Sequence, residues 1–92
     1  MPERELLELF ATFKGNVQGV GFRATAKLYA EQLKLNGFVR NLHGGEVELC
    51  AQGEKAQLEH LLKKLRHAFG ILDISLQYRT IATPYSDFRI VR

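Results

Sequence analysis

The sequence predicts an α+β fold in which two helices cover one face of an antiparallel sheet, and three observations carry that prediction. Apolar residues alternate with a period of two in several short segments. They switch to helical spacing in two longer ones, and glycine clusters punctuate the changes. The chain has 92 residues, 46% of them hydrophobic, which is material for one core and not for two. Residues 1–92 are therefore expected to form a single domain.

Leu7, Leu9, Ala11 and Phe13 recur at every second position, with Leu6 and Phe10 on the other face, and read as a first strand buried on at least one side. Lys14 to Gly21 then holds Gly15, Gly19 and Gly21, a density that marks a loop with backbone angles closed to other residues. Phe22, Ala26, Tyr29, Ala30 and Leu33 follow helical spacing while Arg23, Lys27, Glu31 and Lys34 stay polar. This helix is expected to run to about Leu35 and to stop at Asn36 and Gly37. Phe38 to Leu42 and Glu46 to Ala51 read as antiparallel strands joined by a tight hairpin, with Gly44 and Gly45 supplying positive φ values next to a solvated His43. From Glu54 onward, Leu58, Leu61, Leu62, Leu65 and Phe69 form the core stripe of a second helix that ends at Gly70, with Lys63, Lys64 and Arg66 near its negative end. Leu72, Ile74, Leu76 and Tyr78 alternate with polar residues as a fourth strand, and Phe88 to Val91 can add a short fifth after Pro84. The order strand, helix, strand, strand, helix, strand is the split βαβ arrangement of the ferredoxin-like two-layer sandwich.

Composition removes several function classes. Thirteen Lys and Arg against ten Asp and Glu leave a mild, scattered positive excess, which tolerates anionic ligands without marking a nucleic-acid surface. A single cysteine, Cys50, excludes an intrachain disulfide, and no Cys or His spacing suggests zinc; His60 and His67 are seven apart. No apolar run approaches the roughly 20 residues of a membrane span, and the first eight residues carry three glutamates and no apolar leader. A cytoplasmic protein without metal or cofactor is expected.

A helical crossover makes the first two strands parallel, so their C-terminal ends, the glycine loop and the start of the first helix share one rim. Arg40, Asn41 and the segment Lys14 to Arg23 are expected to meet there. The run Gly15 to Arg23 leaves a strand and opens a helix, so its amides can converge on an anion with the positive helix end behind them. The competing reading is a plain flexible connection. Arg23, in the first helical turn, opposes the macrodipole by roughly 0.3–1 kcal/mol, a cost removed when a dianion lies between its guanidinium and the amides. Other phosphate chemistries fit poorly. The GxxxxGK[ST] spacing is missing. Gly19-Val20-Gly21-Phe22-Arg23-Ala24 matches a dinucleotide fingerprint, but the second strand ends without an acid for a ribose and the chain is too short for a doubly wound sheet. Cys50 has neither a neighbouring arginine nor a base, as a phosphocysteine would need, and reads as a strand residue.

Gly15 to Arg23, with its Val17-Gln18-Gly19-Val20 core and terminal Phe22-Arg23, resembles the acylphosphatase family. So do Gly37-Phe38-Val39-Arg40-Asn41, the spaced Gly45, Val47 and Gly53, and the closing Phe88-Arg89-Ile90, and the similarity spans the whole chain. Asn16 stands at a variable family position, and His43-Gly44 replaces a commoner acidic residue followed by another side chain. The resemblance implies hydrolysis of an acyl phosphate to a carboxylate and inorganic phosphate without metal or nucleotide. It implies that Arg23 and the amides of Asn16, Val17, Gln18, Gly19, Val20 and Gly21 hold the phosphate, and that Asn41 positions the attacking water. The expected partners are a small acyl phosphate and inorganic phosphate, a product that inhibits competitively; a monomer is expected, with no nucleic acid or membrane. Two alternatives share the fold: a phosphate- or carbamoyl-phosphate-binding module without turnover, and an RNA-binding domain. The second is disfavoured because the third strand displays Glu46 and Glu48 and no aromatic platform.

Overall fold

In the computed structural model, which describes residues 5–15, 17–70 and 73–91, the period-two segments form strands of one sheet and the two helical stripes cover one of its faces. The elements are β1 (Leu6–Lys14), α1 (Phe22–Gln32), β2 (Asn36–Asn41), β3 (Val47–Glu54), α2 (Lys55–Phe69), β4 (Asp73–Arg79) and β5 (Phe88–Ile90). Leu72, assigned above to the fourth strand, lies outside the described residues. The strand order is β4-β1-β3-β2-β5. The pairs β1/β3, β1/β4 and β2/β3 are antiparallel as expected, whereas β5 joins β2 in parallel and makes the sheet mixed. The chain leaves β4 at one edge, crosses to the opposite edge, and there reverses its direction relative to β4.

Alternation decides which residues are buried. Leu9, Ala11 and Phe13 of β1, Val39 of β2 and Val47, Leu49 and Ala51 of β3 meet Ala26 and Ala30 of α1 and Leu58, Leu61 and Leu65 of α2, all fully buried. Each large aliphatic side chain so buried contributes roughly 1.5–3 kcal/mol. β4 is the shallow member: Leu76 is 42% exposed, and Ile74 and Tyr78 are only half-buried, because an edge strand has a neighbour on one side only.

Two turns differ from the expectation. α1 ends at Gln32, three residues early, in a Schellman turn: the Leu35 amide donates to the Ala30 carbonyl at 2.8 Å and the Lys34 amide to that of Glu31 at 3.1 Å. Lys34 takes the left-handed conformation (φ 60°) that glycine usually occupies there, and burial of Leu35 against Gly53 of β3 makes the stop tolerable. Asn36 and Gly37 therefore open β2 instead of capping the helix. The β2/β3 connection spans residues 42–46, longer than a two-residue hairpin, and only Gly45 has positive φ (92°); Gly44 does not.

Gly37 has a different task. Its φ is +148°, and a Cβ there would fall on the backbone carbonyl of Cys50 in the neighbouring strand. β2 can approach β3 at this point only without a side chain.

On the sheet face away from the helices, Glu8 of β1 is 7% exposed and accepts hydrogen bonds from Gln52 Nε2 at 2.7 Å and from Arg79 Nε. Gln52 also donates to the Thr83 carbonyl and accepts from the Tyr85 amide, so one buried amide ties residues 83–85 onto β3. Asn36 Nδ2 donates to the Tyr85 carbonyl, the Gly37 amide donates to the Asp87 carbonyl, and Phe38 meets Tyr85 edge-on. This strap delivers the chain to β5. Burial alone would push the Glu8 carboxyl up, but the hydrogen bonds from Gln52 and Arg79 and the Arg79 charge outweigh it and hold the group below its ordinary 4.5. Among the described residues no helix is long and apolar enough to cross a membrane.

Gly37→Ala is expected to lose about 3 kcal/mol or more of stability, through steric overlap combined with an unfavourable φ, read as a fall in the urea midpoint. Because the folded-state pKa of Glu8 is depressed, its stabilisation is fully present above about pH 4.5 and disappears as pH falls through the lower folded value. Below pH 4.5 the unfolding free energy of the unmodified protein should fall more steeply than that of Glu8→Gln. Parallel slopes in the two titrations would show that this carboxylate is not a source of acid sensitivity.

Candidate active site

The glycine loop between β1 and α1 is anchored at three points. Phe13 precedes it, Val17 sits within it and Phe22 follows it, and none is more than 2% exposed. The Phe22 ring lies between Phe13 and Phe69, with centroids 5.0 Å from each. Between the anchors the backbone turns through left-handed conformations at Gly15, Gly19 and Gly21 (φ 110°, 76° and 79°), and the Val17 amide donates to the Gly15 carbonyl at 3.0 Å. Asn16 lies outside the described residues.

Gly21 is the residue before α1, and it offers no side-chain cap. The first helical hydrogen bond is donated by the Thr25 amide to the Gly21 carbonyl at 3.0 Å, so the amides of Phe22, Arg23 and Ala24 have no partner within the helix. No acidic residue occupies the first turn. Arg23 is half-buried, and no described residue hydrogen-bonds or pairs with its guanidinium. A cavity of about 200 Å³ opens here, lined by Val17, Gly19, Gly21, Phe22, Arg23, Ala24 and Ile90. Amide donors without a helical partner, the positive end of a helix dipole and a cation unpaired among the described residues converge on one space, which is the electrostatic description of an anion site.

The second strand completes the rim. Asn41 pairs in register with Val47, and Val47 with Phe13, so Asn41 stands level with the end of β1 and on the helix-covered face. It is not among the residues lining the cavity. Val39 is opposite Ile90, and Asn41 follows Val39 by one pleat, about 7 Å along β2 on the same face. Its Oδ1 is buried and lacks a hydrogen-bond donor among the described residues. Leaving such an acceptor dry costs roughly 1–3 kcal/mol, so a bound water is the natural complement.

Of the residues expected to gather at the rim, Val17, Gly19, Gly21 and Arg23 do so in the cavity wall. Val20 is 45% exposed in the loop. Gln18 is not among the residues lining the cavity: its Nε2 donates to the carbonyls of Leu42 and Glu46, each at 2.9 Å, and so straps the loop to the β2/β3 connection. Arg40 does not join the site. Its neighbour Asn41 faces the helices, so the two-residue period points Arg40 to the opposite face, where its Nε meets Glu48 at 2.7 Å. His43 is exposed in the turn. Cys50 is buried on the open face; burial and the Glu8 carboxylate push its thiol up to about 12, so it stays protonated and unreactive near neutral pH. Sequence reasoning missed Ile90 as a cavity wall. The available signal was its position two residues after Phe88 on the same face of a strand, but no local pattern says where that strand docks.

The chain matches the acylphosphatase family model over residues 9–90. An acylphosphatase of Burkholderia ambifaria is 38% identical over 96 aligned positions, covering 97% of this chain and 98% of that one. Among solved structures, the acylphosphatase of Bacillus subtilis superposes with a TM-score of 0.88 at 31% identity, covering 94% of this chain and 99% of its own. One from Coxiella burnetii gives 0.85 at 32% identity, over 99% of this chain and all of its own.

Gln18→Ala is expected to cost about 1–2 kcal/mol and to weaken inorganic phosphate binding several-fold, because the strap is lost while the loop's apolar anchors remain. Unfolding curves and phosphate titrations measured together check this. Unchanged phosphate affinity in a destabilised Gln18→Ala protein would confine the strap to a stabilising role.

Proposed function

This chain belongs to the acylphosphatase family and is an enzyme that hydrolyses acyl phosphates, and from that premise we propose how its own residues divide the reaction. The phosphoryl group sits against the loop between Gly15 and Arg23, where the amides at Gly19 to Gly21 and the start of α1 receive its oxygens and the Arg23 guanidinium closes over them. The observation that carries this reading is Arg23, without a partner among the described residues, in the first turn of a helix with no side-chain cap, lining the cavity. Such fixed donors stabilise charge on the equatorial oxygens without reorganising during the reaction; removing one donor of this kind typically costs about 10²–10³ in rate.

Asn41 holds the attacking water. A carboxamide accepts through Oδ1 and donates through Nδ2, so it can orient water without acting as a base, and the unpartnered Oδ1 supports this role. In the step itself the water oxygen bonds to phosphorus as the bond from phosphorus to the carboxylate oxygen breaks. The bonding pair leaves with the carboxylate, and the water's transferred proton goes to a phosphoryl oxygen, giving RCOO⁻ and H₂PO₄⁻ from RCOOPO₃²⁻ and H₂O. A carboxylate is a stable leaving group, so no strong general acid is required. The reaction then rests on positioning and on charge stabilisation by side chains and amides, with no metal ion invoked. Inorganic phosphate, which has the shape and charge of the bound group, acts as a competitive inhibitor.

Hydrolysis of benzoyl phosphate in the presence of EDTA tests this assignment, with a phosphate monoester as control. Arg23→Ala should abolish both turnover and the rise in melting temperature caused by inorganic phosphate. Asn41→Ala should lower kcat by about 10² or more with a smaller change in phosphate affinity. Full activity in folded Asn41→Ala would remove the water-positioning role. Turnover that depends on added metal, or equal turnover of the monoester, would contradict the mechanism.

A further inference from the structure

Beyond the phosphoryl end, the cavity has an apolar wall. Val17 and Phe22 are committed to the core, and Arg23 supplies the charge, which leaves Ala24 and Ile90 as the lining side chains that offer apolar surface outward. Ile90 is 41% exposed although it lies on the same strand face as Phe88, which is 3% exposed. Its neighbour across the sheet is Val39, and Asn41 lies one pleat further along. At about 200 Å³ the cavity is below the usual 300–1,000 Å³ of small-molecule clefts, so a phosphoryl group and the first acyl atoms fill it and the remainder of the substrate must lie on the rim. On the β5 side, that rim is Ile90.

We propose that Ile90 is the specificity-determining contact for the acyl group, and that it selects acyl phosphates whose acyl portion is apolar and extended, aromatic or branched aliphatic, over the smallest acyl groups. The proposal rests on the phosphate-site reading above. It adds a reader for the half of the substrate that the loop and Arg23 leave untouched. A larger apolar acyl group buries the exposed part of Ile90 and gains affinity in proportion to the area removed from water, whereas an acetyl group has only one methyl with which to cover it. Ile90 makes no contact with the reacting atoms in this arrangement. Its effect therefore falls on binding of the acyl portion and not on kcat.

The test uses inert acylphosphonates, in which the acyl carbon is bonded directly to phosphorus and no bridging oxygen is left to cleave, so that affinity is read without turnover. Affinities of benzoylphosphonate, acetylphosphonate and inorganic phosphate are measured for the unmodified protein, for Ile90→Ala and for Ile90→Thr, which keeps a β-branched strand residue. Both variants should weaken benzoylphosphonate about five- to tenfold and leave acetylphosphonate and inorganic phosphate within about twofold. Equal weakening of all three ligands would make Ile90 a structural residue of β5 and overturn the proposal, as would an unchanged preference for the benzoyl compound. Failure of the underlying site reading has a different signature: the unmodified protein would bind none of the three.

Discussion

The burial of Phe13, Val17 and Phe22 holds rigid a stretch of chain that its own composition would leave loose. Three glycines in the run from Gly15 to Gly21 carry a large conformational entropy in the unfolded chain, and an anion site made of backbone amides works only if that entropy is spent before the ligand arrives. The anchors achieve this because each enters the core from a different point of the chain: Phe13 from the interior strand β1, Val17 from within the loop, and Phe22 from the start of α1, wedged between Phe13 and Phe69 of the second helix. A loop pinned at both ends and in the middle can keep its left-handed glycine turns in place without a ligand. Arg23 follows the last anchor directly, so the position of its Cα is inherited from Phe22.

The two faces of the sheet divide the work. On the helix-covered face, apolar packing positions the loop, the start of α1 and Asn41. The other face carries the ion pairs Glu8–Arg79 and Arg40–Glu48, together with the buried amide of Gln52. Satisfied hydrogen bonds justify burying Gln52, which in return fixes residues 83–85 over the sheet. That polar strap lies on the opposite face from the glycine loop, yet it determines where β5 begins and hence where Ile90 stands. The approach of β2 to β3 at Gly37 sets the register that keeps Asn41 level with Val47 and Phe13.

Local pattern was sufficient for most elements. The stripe from Leu58 to Phe69 and its stop at Gly70 are read directly from 3.6-residue spacing and a left-handed cap. It was insufficient at the end of α1, where Asn36-Gly37 looked like the stop signal and the chain instead turned at Lys34 because Leu35 could be buried against Gly53 of β3. A tertiary contact outweighed the backbone preference there. Arg40 shows the same limit in the site: lying beside Asn41 in sequence guarantees that, within a strand, it faces away.

The sequence by itself determined the element order, the glycine-rich strand-to-helix turn and the placement of Arg23 in the first helical turn, because periodicity, turn chemistry and helix polarity are properties of neighbouring residues. Only the tertiary structure decided that Gln18 straps the loop to residues 42 and 46, that Asn41 keeps a buried oxygen unpartnered among the described residues, and that Ile90 walls the cavity. Each of these depends on register between segments 24 to about 70 residues apart, where strand order and packing choose the partner and no local signal in either segment specifies the other.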